Sequence, residues 1–380
     1  MGELSEHIIS APVVVLTGAG ASVHLGKPTT AEFVPRVQAE VIRELGREGR
    51  RELRRSTSGE GGGAWDQIVQ SCNDRWGTGT VDIEMILEHV RAQLEAMRTM
   101  IGDRNLRGLL HDATPTFSLY EAVQKVACRL VVEEYSDVDP AKANQLYGPL
   151  FAGVRAQFGV QTLSMFTLNY DVAVERATTA LGLRLVDGIR RAAPADNRWS
   201  AEEFGSYAPR DDLAVVLFKL HGSTTWAWDK AGSLVELPFG TGKDPGTLTH
   251  ALLYPYLTQK DLQKEPFKTG YAYLEACLGR AQCLAIIGTS LRDQHLVRIL
   301  RAALETNPDL AVAVLDPAMD TDRLTEILGA SPSVMAVVPQ AFDPHMGGLL
   351  PGYLTSALQA GRRRARRHRP PPTSPGAAGP

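Results

Sequence analysis

Apolar residues along the chain fall into two patterns. Short uninterrupted runs, the first being Val13-Val14-Val15-Leu16-Thr17, read as strands buried on both faces, where no alternation with polar residues is required. Comparable runs lie at Gln161–Phe166, Ala214–Leu220, Cys283–Ile287 and Leu310–Leu315. Between them, apolar side chains recur at three- and four-residue steps, the spacing of one helix face. That spacing predicts helices over Thr30–Leu45, Asp171–Leu181, Phe267–Leu278, Gln294–Glu305 and Asp320–Leu328. Apolar strands alternating with helices predict an α/β fold, a doubly wound parallel sheet of Rossmann-like type.

One stretch interrupts the alternation. From Trp65 to Phe158 the pattern is helical throughout, with Ile83, Ile86, Leu87, Val90, Leu94 and Met97 on one face and Ala143, Leu146, Tyr147, Leu150 and Val154 on another. A helical subdomain spanning about residues 30–160 is therefore expected, inserted after the first strand–helix unit of a single domain covering 1–360. Gly46 to Gly63 reads as an exposed loop. Residues 361–380 hold arginines, prolines and few apolar groups, and read as a disordered tail.

Candidate chemistry gathers where strands end, the edge at which open α/β sheets bind ligands. The first strand runs directly into Gly18-Ala19-Gly20-Ala21-Ser22. Glycines there let backbone approach a pyrophosphate, although a purely structural turn fits the same residues. The second strand ends in Thr167-Leu168-Asn169-Tyr170-Asp171, in which Asn169 or Asp171 could equally cap the next helix. The third ends in Lys219-Leu220-His221-Gly222-Ser223. His221 reads either as a general base near neutral pH or as a structural residue closing the strand. Gly288-Thr289-Ser290-Leu291-Arg292-Asp293 and Asp316-Pro317 close the remaining two, Asp316 being placed to accept hydrogen bonds from ribose hydroxyls. Five polar clusters at one predicted edge are hard to attribute to turns alone.

Composition narrows the classes. The net charge is −3, but six arginines crowd residues 361–369, leaving 34 basic against 43 acidic residues elsewhere. No nucleic-acid footprint is expected from the body of the chain. No apolar run approaches the roughly 20 residues that cross a bilayer, and Met1–Ser10 lacks the basic start of a signal peptide, so a cytoplasmic protein with no membrane contact is expected. The four cysteines, Cys72, Cys128, Cys277 and Cys283, form neither a disulfide framework nor a paired zinc motif.

The order of the strand-end motifs resembles the sirtuin superfamily over roughly residues 11–320. Sirtuins carry the same glycine–alanine–serine loop, a Thr-x-Asn-x-Asp motif, a His-Gly pair and a Gly-Thr-Ser element. The resemblance implies NAD as the bound molecule. Gly18, Ala21 and Ser22 would line its pyrophosphate, and Thr167, Asn169 and Asp171 would lie by the nicotinamide ribose. His221 would be the base, and Gly288, Thr289 and Ser290 would hold the adenosine half, with Asp316 beyond. Two departures separate the chain from protein-deacylating sirtuins. Gly222 to Ala276 has no cysteine where those enzymes hold a zinc module, and Gly26-Lys27-Pro28-Thr29-Thr30-Ala31 replaces their Gly-Ile-Pro-Asp-Phe-Arg. The zinc-free pattern looks like bacterial sirtuin-like NADases of anti-phage defence.

That branch implies cleavage of NAD as substrate to nicotinamide and ADP-ribose, linear or cyclic, without a metal. It also implies gated activity through a homo-oligomer or a separate partner such as a translocase ATPase or a short Argonaute, since no sensor domain fits after residue 360. A zinc-independent deacylase or ADP-ribosyltransferase, and a silent module that binds NAD or ADP-ribose, are the competing expectations.

Overall fold

In the computed structural model the uninterrupted apolar runs become neighbours in one parallel sheet. The structure describes residues 4–45, 64–77, 81–102, 114–191, 197–238, 249–252, 262–329 and 335–367. In chain order the strands are β1 (Val13–Thr17), β2 (Thr162–Thr167), β3 (Arg184–Val186), β4 (Ile189–Arg191), β5 (Asn197–Trp199), β6 (Ala214–Lys219), β7 (Gly222–Trp228), β8 (Leu234–Glu236), β9 (Thr249–Leu252), β10 (Cys283–Ile287), β11 (Ala311–Leu315) and β12 (Met335–Val338). Seven of them form a sheet in the order β12-β11-β10-β1-β2-β6-β3, every neighbouring pair parallel. The chain leaves β1 toward β2 on one side and later returns past it to β10 on the other. The order therefore reverses between β1 and β10, the position at which such sheets open a crevice.

Alternate residues of each strand face opposite layers, as a pleated strand requires. Val13 and Val15 join a core with Leu146, Leu150 and Val154 of α6 (Pro140–Phe158), Ala173 and Ala177 of α7 (Ala173–Ala180), and Leu350 and Leu354 of α12 (Pro344–Arg367). Val14 and Leu16 face the other core, against Leu274 and Leu278 of α9 (Phe267–Leu278), Leu296 and Leu300 of α10 (Gln294–Thr306), and Leu324 of α11 (Thr321–Leu328). Each such fully buried Val or Leu stabilises the fold by about 1.5–3 kcal/mol relative to an exposed one.

The inserted helices form a third, separate core. Phe33 and Val37 of α2 (Thr30–Glu44), Ile68 and Cys72 of α3 (Ala64–Trp76), Ile86 and Val90 of α4 (Ile83–Gly102), and Val123 and Ala127 of α5 (Thr114–Ser136) pack together. The helix starting at Pro140 does not belong to this group. Its apolar face lies on the sheet, so the insertion ends near residue 136 rather than near 160. Helical periodicity marks a buried face but not what buries it.

Three features depart further from the sequence expectation. The strands between residues 189 and 252, apart from β6, build a second, antiparallel sheet in the order β4-β5-β8-β7-β9. β4 and β5 are three residues long and carry arginines, and the seven-residue β7 opens Gly-Ser-Thr-Thr, so none of these offers an uninterrupted apolar run to read. The helix from Pro344 contains Gly347, Gly348, Pro351 and Gly352, and packing rather than propensity holds it. A Cβ on Gly153 would lie 2.8 Å from the Pro351 ring, so only a glycine lets the two helices come this close. That same helix continues through Arg367. The first arginines of the presumed tail are therefore helical, as strong helix formers following a docked helix can be. The expected loop at 46–63 and the tail beyond 367 lie outside the described residues. Among the described residues, no helix is long and apolar enough to cross a membrane.

Candidate active site

Register brings the five strand-end clusters level. Thr17 pairs with both Thr167 and Ile287, Thr167 with Lys219, and Ile287 with Leu315. Hydrogen bonds continue the ladder just past these ends: Leu168 N donates to Thr17 O at 2.9 Å, Leu220 N to Thr167 O at 2.8 Å, and Gly288 N to Leu315 O at 2.9 Å. A cavity of about 500 Å³ opens above them.

The first loop becomes a short 3-10 helix, Ala19–Leu25. Its glycines serve backbone packing. Gly20 N donates to Gly288 O at 2.8 Å, and a Cβ added to Gly288, at φ +60°, would sit 2.3 Å from Ala21 N. The two glycine loops therefore lie backbone against backbone at the switch point, a structural need that the sequence motif does not separate from phosphate binding.

Of the residues singled out from the sequence, Gly18, Asn169, His221, Gly288, Thr289, Ser290 and Asp316 line the cavity. Ala21, Ser22, Thr167 and Asp171 stand behind its wall, fully or nearly buried. They form a support. Asn169 Nδ2 donates to Ser22 Oγ at 2.9 Å, and Ser22 Oγ donates to Asp171 Oδ2 at 2.6 Å. Asp171 Oδ1 accepts Ala173 N–H at 2.9 Å at the start of α7, so the helix-starting role and the site-building role coexist in one carboxylate. Thr167 Oγ1 accepts the Asn169 N–H at 3.0 Å and the Thr17 hydroxyl at 2.8 Å. Asn169 is itself buried, with its amide held from below.

Lys219 sits beneath the same loop with its side chain 1% exposed. Its Nζ lies 3.1 Å from Glu175 Oε1 and donates to the Asp171 carbonyl. Burial pushes the Glu175 carboxyl above its ordinary value despite this ammonium, and Glu175 Oε2 has no hydrogen-bond partner.

His221 marks the junction of the two sheets: β6 ends at Lys219 and β7 starts at Gly222. Gly222 has φ +92°, and a Cβ there would fall 2.0 Å from the Ala251 carbonyl oxygen, so the glycine of the His-Gly pair is what lets the chain cross into the second sheet. The His221 ring is buried, with Nε2 3.3 Å from Asp293 Oδ2 and the Tyr170 ring centroid 6.5 Å away.

Arg292 and Asp293 lie in a motif the sequence singles out, but no role could be read for them there because their partners are distant in the chain. Arg292 Nη1 meets Asp82 Oδ2 at 2.5 Å, tying the wall of the cavity to the insertion, where Asp82 Oδ1 also accepts the Met85 N–H at 3.0 Å in the first turn of α4. Phe33, Ile83, Leu87, Val131 and Tyr135 from the inserted helices complete the cavity wall. Burial and neighbouring Asp171 hold the Tyr135 phenol well above its usual range, so it stays neutral. At the other end Phe342 and Arg323 flank Asp316, whose carboxyl burial pushes upward. Among the described residues, no group of three or more His, Cys, Asp or Glu side chains is placed to hold a metal ion.

Residues 163–331 match the model of the SIR2-like domain. That match supports the sirtuin superfamily. The SIR2-like stretch runs from within β2 to just past α11 and carries Asn169, His221 and Gly288-Thr289-Ser290. The first glycine loop and the inserted helices precede it. Solved structures similar to the chain include a Sir2 homologue in complex with NAD, at 16% identity over 93% of each chain and a TM-score of 0.43. Others are a Sir2 enzyme studied for mechanism and regulation, at 12% identity over 94% of this chain and 96% of that one with a TM-score of 0.39, and a sirtuin studied for substrate affinity, at 10% identity over 94% of each with a TM-score of 0.37. No curated protein matches the chain.

Proposed function

We propose that this chain is an NAD glycohydrolase that splits the nicotinamide–ribose bond, releasing nicotinamide and ADP-ribose, as an effector that depletes NAD in anti-phage defence. One observation carries the reading: Asn169 and His221, from different strands, face a single cavity at the switch point of a parallel sheet, in a chain with a SIR2-like domain. NAD fits the layout of the wall. The loops at Gly18 and Gly288 flank the place for the phosphates, with Thr289, Ser290 and Asp316 toward the adenosine. Asn169 and His221 take the nicotinamide ribose. As nicotinamide leaves, positive charge develops at the ribose carbon. The Asn169 amide, anchored by Ser22, orients the ribose and the attacking water. His221 withdraws a proton from that water directly or through the ribose hydroxyls. Ala21, Ser22, Thr167 and Asp171 act from behind as supports. The cysteine-free Gly222–Ala276 stretch favours hydrolysis over protein deacylation. Control through self-assembly or a separate partner completes the proposal, because ungated cleavage would drain the host of NAD.

Asn169→Ala tests the reading. Losing the amide removes one buried hydrogen bond, a cost of about 1 kcal/mol, and Ser22 keeps its bond to Asp171. The variant should fold, with a melting temperature within a few degrees of the parent, and release no nicotinamide. A folded variant that still cleaves NAD at the parent rate sinks the assignment.

A further inference from the structure

We infer that Asp293 is the positioning residue for His221, and that the two form a carboxylate–imidazole pair assembled by the bend of the Gly288–Asp293 segment. The inference rests on the proposed role of His221 and deepens it. The two side chains are 72 positions apart in sequence, yet Nε2 and Oδ2 lie 3.3 Å from each other with side-chain exposures of 5% and 9%. Asp293 is fixed from its other side: Oδ1 accepts the His295 N–H at 3.0 Å and the Leu296 N–H at 3.3 Å, opening α10. One oxygen thus anchors the carboxylate to a helix terminus while the other faces the imidazole.

The approach to Asp293 is built at a cost. Leu291 holds φ +53°, a left-handed conformation that a branched apolar residue rarely adopts. Its backbone N–H donates to Thr289 Oγ1 at 3.3 Å, and its side chain is buried in the sheet core. Arg292 is pinned outward to Asp82 of the insertion. This kink turns Asp293 toward His221 immediately after Arg292 has been turned away from it. A helix cap alone needs neither the kink nor a histidine on the second oxygen.

Chemically the pair does two things. In the neutral ring it keeps the proton on Nε2, directed at Asp293, which fixes the tautomer and the ring plane. After proton transfer it stabilises the imidazolium, making His221 a stronger base. Other ionisable and charged groups face the pair from the elements packed against it. Tyr271 on α9 is held neutral, its phenol pushed far up by burial and then by the Asp293 carboxylate. His295 on α10 stacks edge-on against Tyr271 with ring centroids 4.8 Å apart and pairs with Arg298 through Nδ1 at 2.8 Å. Arg292 is matched by Asp82, and Tyr170 flanks the imidazole.

Asp293→Asn isolates the charge, since asparagine caps a helix as well as aspartate does. With uniformly labelled protein, the nine histidine rings are titrated by NMR, and the His221 signal is assigned by its loss in His221→Gln. The His221 pKa should fall by about one unit or more in Asp293→Asn, following loss of an adjacent negative charge. Turnover of NAD should fall roughly tenfold or more, and the acid limb of its pH profile should move to lower pH by the same interval. Asp293→Glu, which keeps the charge, should restore part of both. An unchanged His221 titration in folded Asp293→Asn overturns the pairing. Because the NMR titration needs no turnover, a parent protein that cleaves no NAD would defeat the proposed function while leaving this test standing.

Discussion

His221→Ala should lower NAD turnover by roughly 10²–10⁴-fold, the range expected when a positioned proton acceptor is removed. The binding constant for NAD should change much less. Gly18, Gly288, Thr289, Ser290 and Asp316 line the cavity from other strands. The opposing view makes His221 a structural plug between β6 and β7, in which case activity would fall only as far as the folded fraction falls. Calorimetric NAD binding and turnover on the same folded sample separate the two. Tight binding with lost turnover supports the base. Tight binding with near-parent turnover leaves Asn169 without a partner and the mechanism without a base.

Lys219→Met should be the most destabilising single change near the site, at about 3–5 kcal/mol, because it strands the buried Glu175 carboxylate. Lys219 and Glu175 are 1% and 6% exposed, so solvent does not take over the lost pairing. Lys219→Met combined with Glu175→Leu should recover most of the loss, as replacing both partners removes the buried charge altogether. The pH dependence has a definite sign. Burial raises the Glu175 carboxyl in the folded state, so the folded protein binds more protons than the unfolded chain. Stability from this group is therefore highest below the unfolded value near 4.5 and declines as pH rises toward the folded value. Without the ammonium that decline steepens, and the deficit of Lys219→Met should be larger at about pH 8 than at about pH 5. Urea unfolding at the two pH values checks this. Equal deficits would mean that Glu175 does not carry the charge. Lys219 also holds the Asp171 carbonyl. The folded remainder of the variant should therefore show a weakened Asn169 site as well.

These two residues also mark where sequence reading succeeds and fails. Val13–Thr17, Cys283–Ile287 and Phe267–Leu278 stand in the structure within the bounds their patterns give, because parallel strands and the helices covering them bury long apolar faces. Their order was enough to place the strand ends, and with them Asn169 and His221, along one edge. In the sequence Lys219 is only a single polar residue inside an apolar run. Only the register with β2 and the position of α7 show it buried against Glu175. Asp293 lay in a motif already singled out, but its pairing depends on a kink at Leu291 and on a strand 72 positions away, and no local periodicity carries that information. The antiparallel sheet was missed for a different reason. Strands of three or four residues, such as Ile189–Arg191 and Asn197–Trp199, are too short to show a period, and their pairing is set by tertiary context. The site is thus legible where a strand carries it and hidden where a buried charge or a strained turn does.

The central claim is tested most directly by incubating the purified 380-residue chain with NAD and no acceptor, and following nicotinamide and ADP-ribose by chromatography over time. The account predicts equimolar nicotinamide and ADP-ribose, linear or cyclised, from the parent protein, in whatever assembly state is active, and none from Asn169→Ala. Turnover that starts only when an acylated peptide or a protein acceptor is added, with the ADP-ribose recovered on that acceptor or on its acyl group, would contradict hydrolysis.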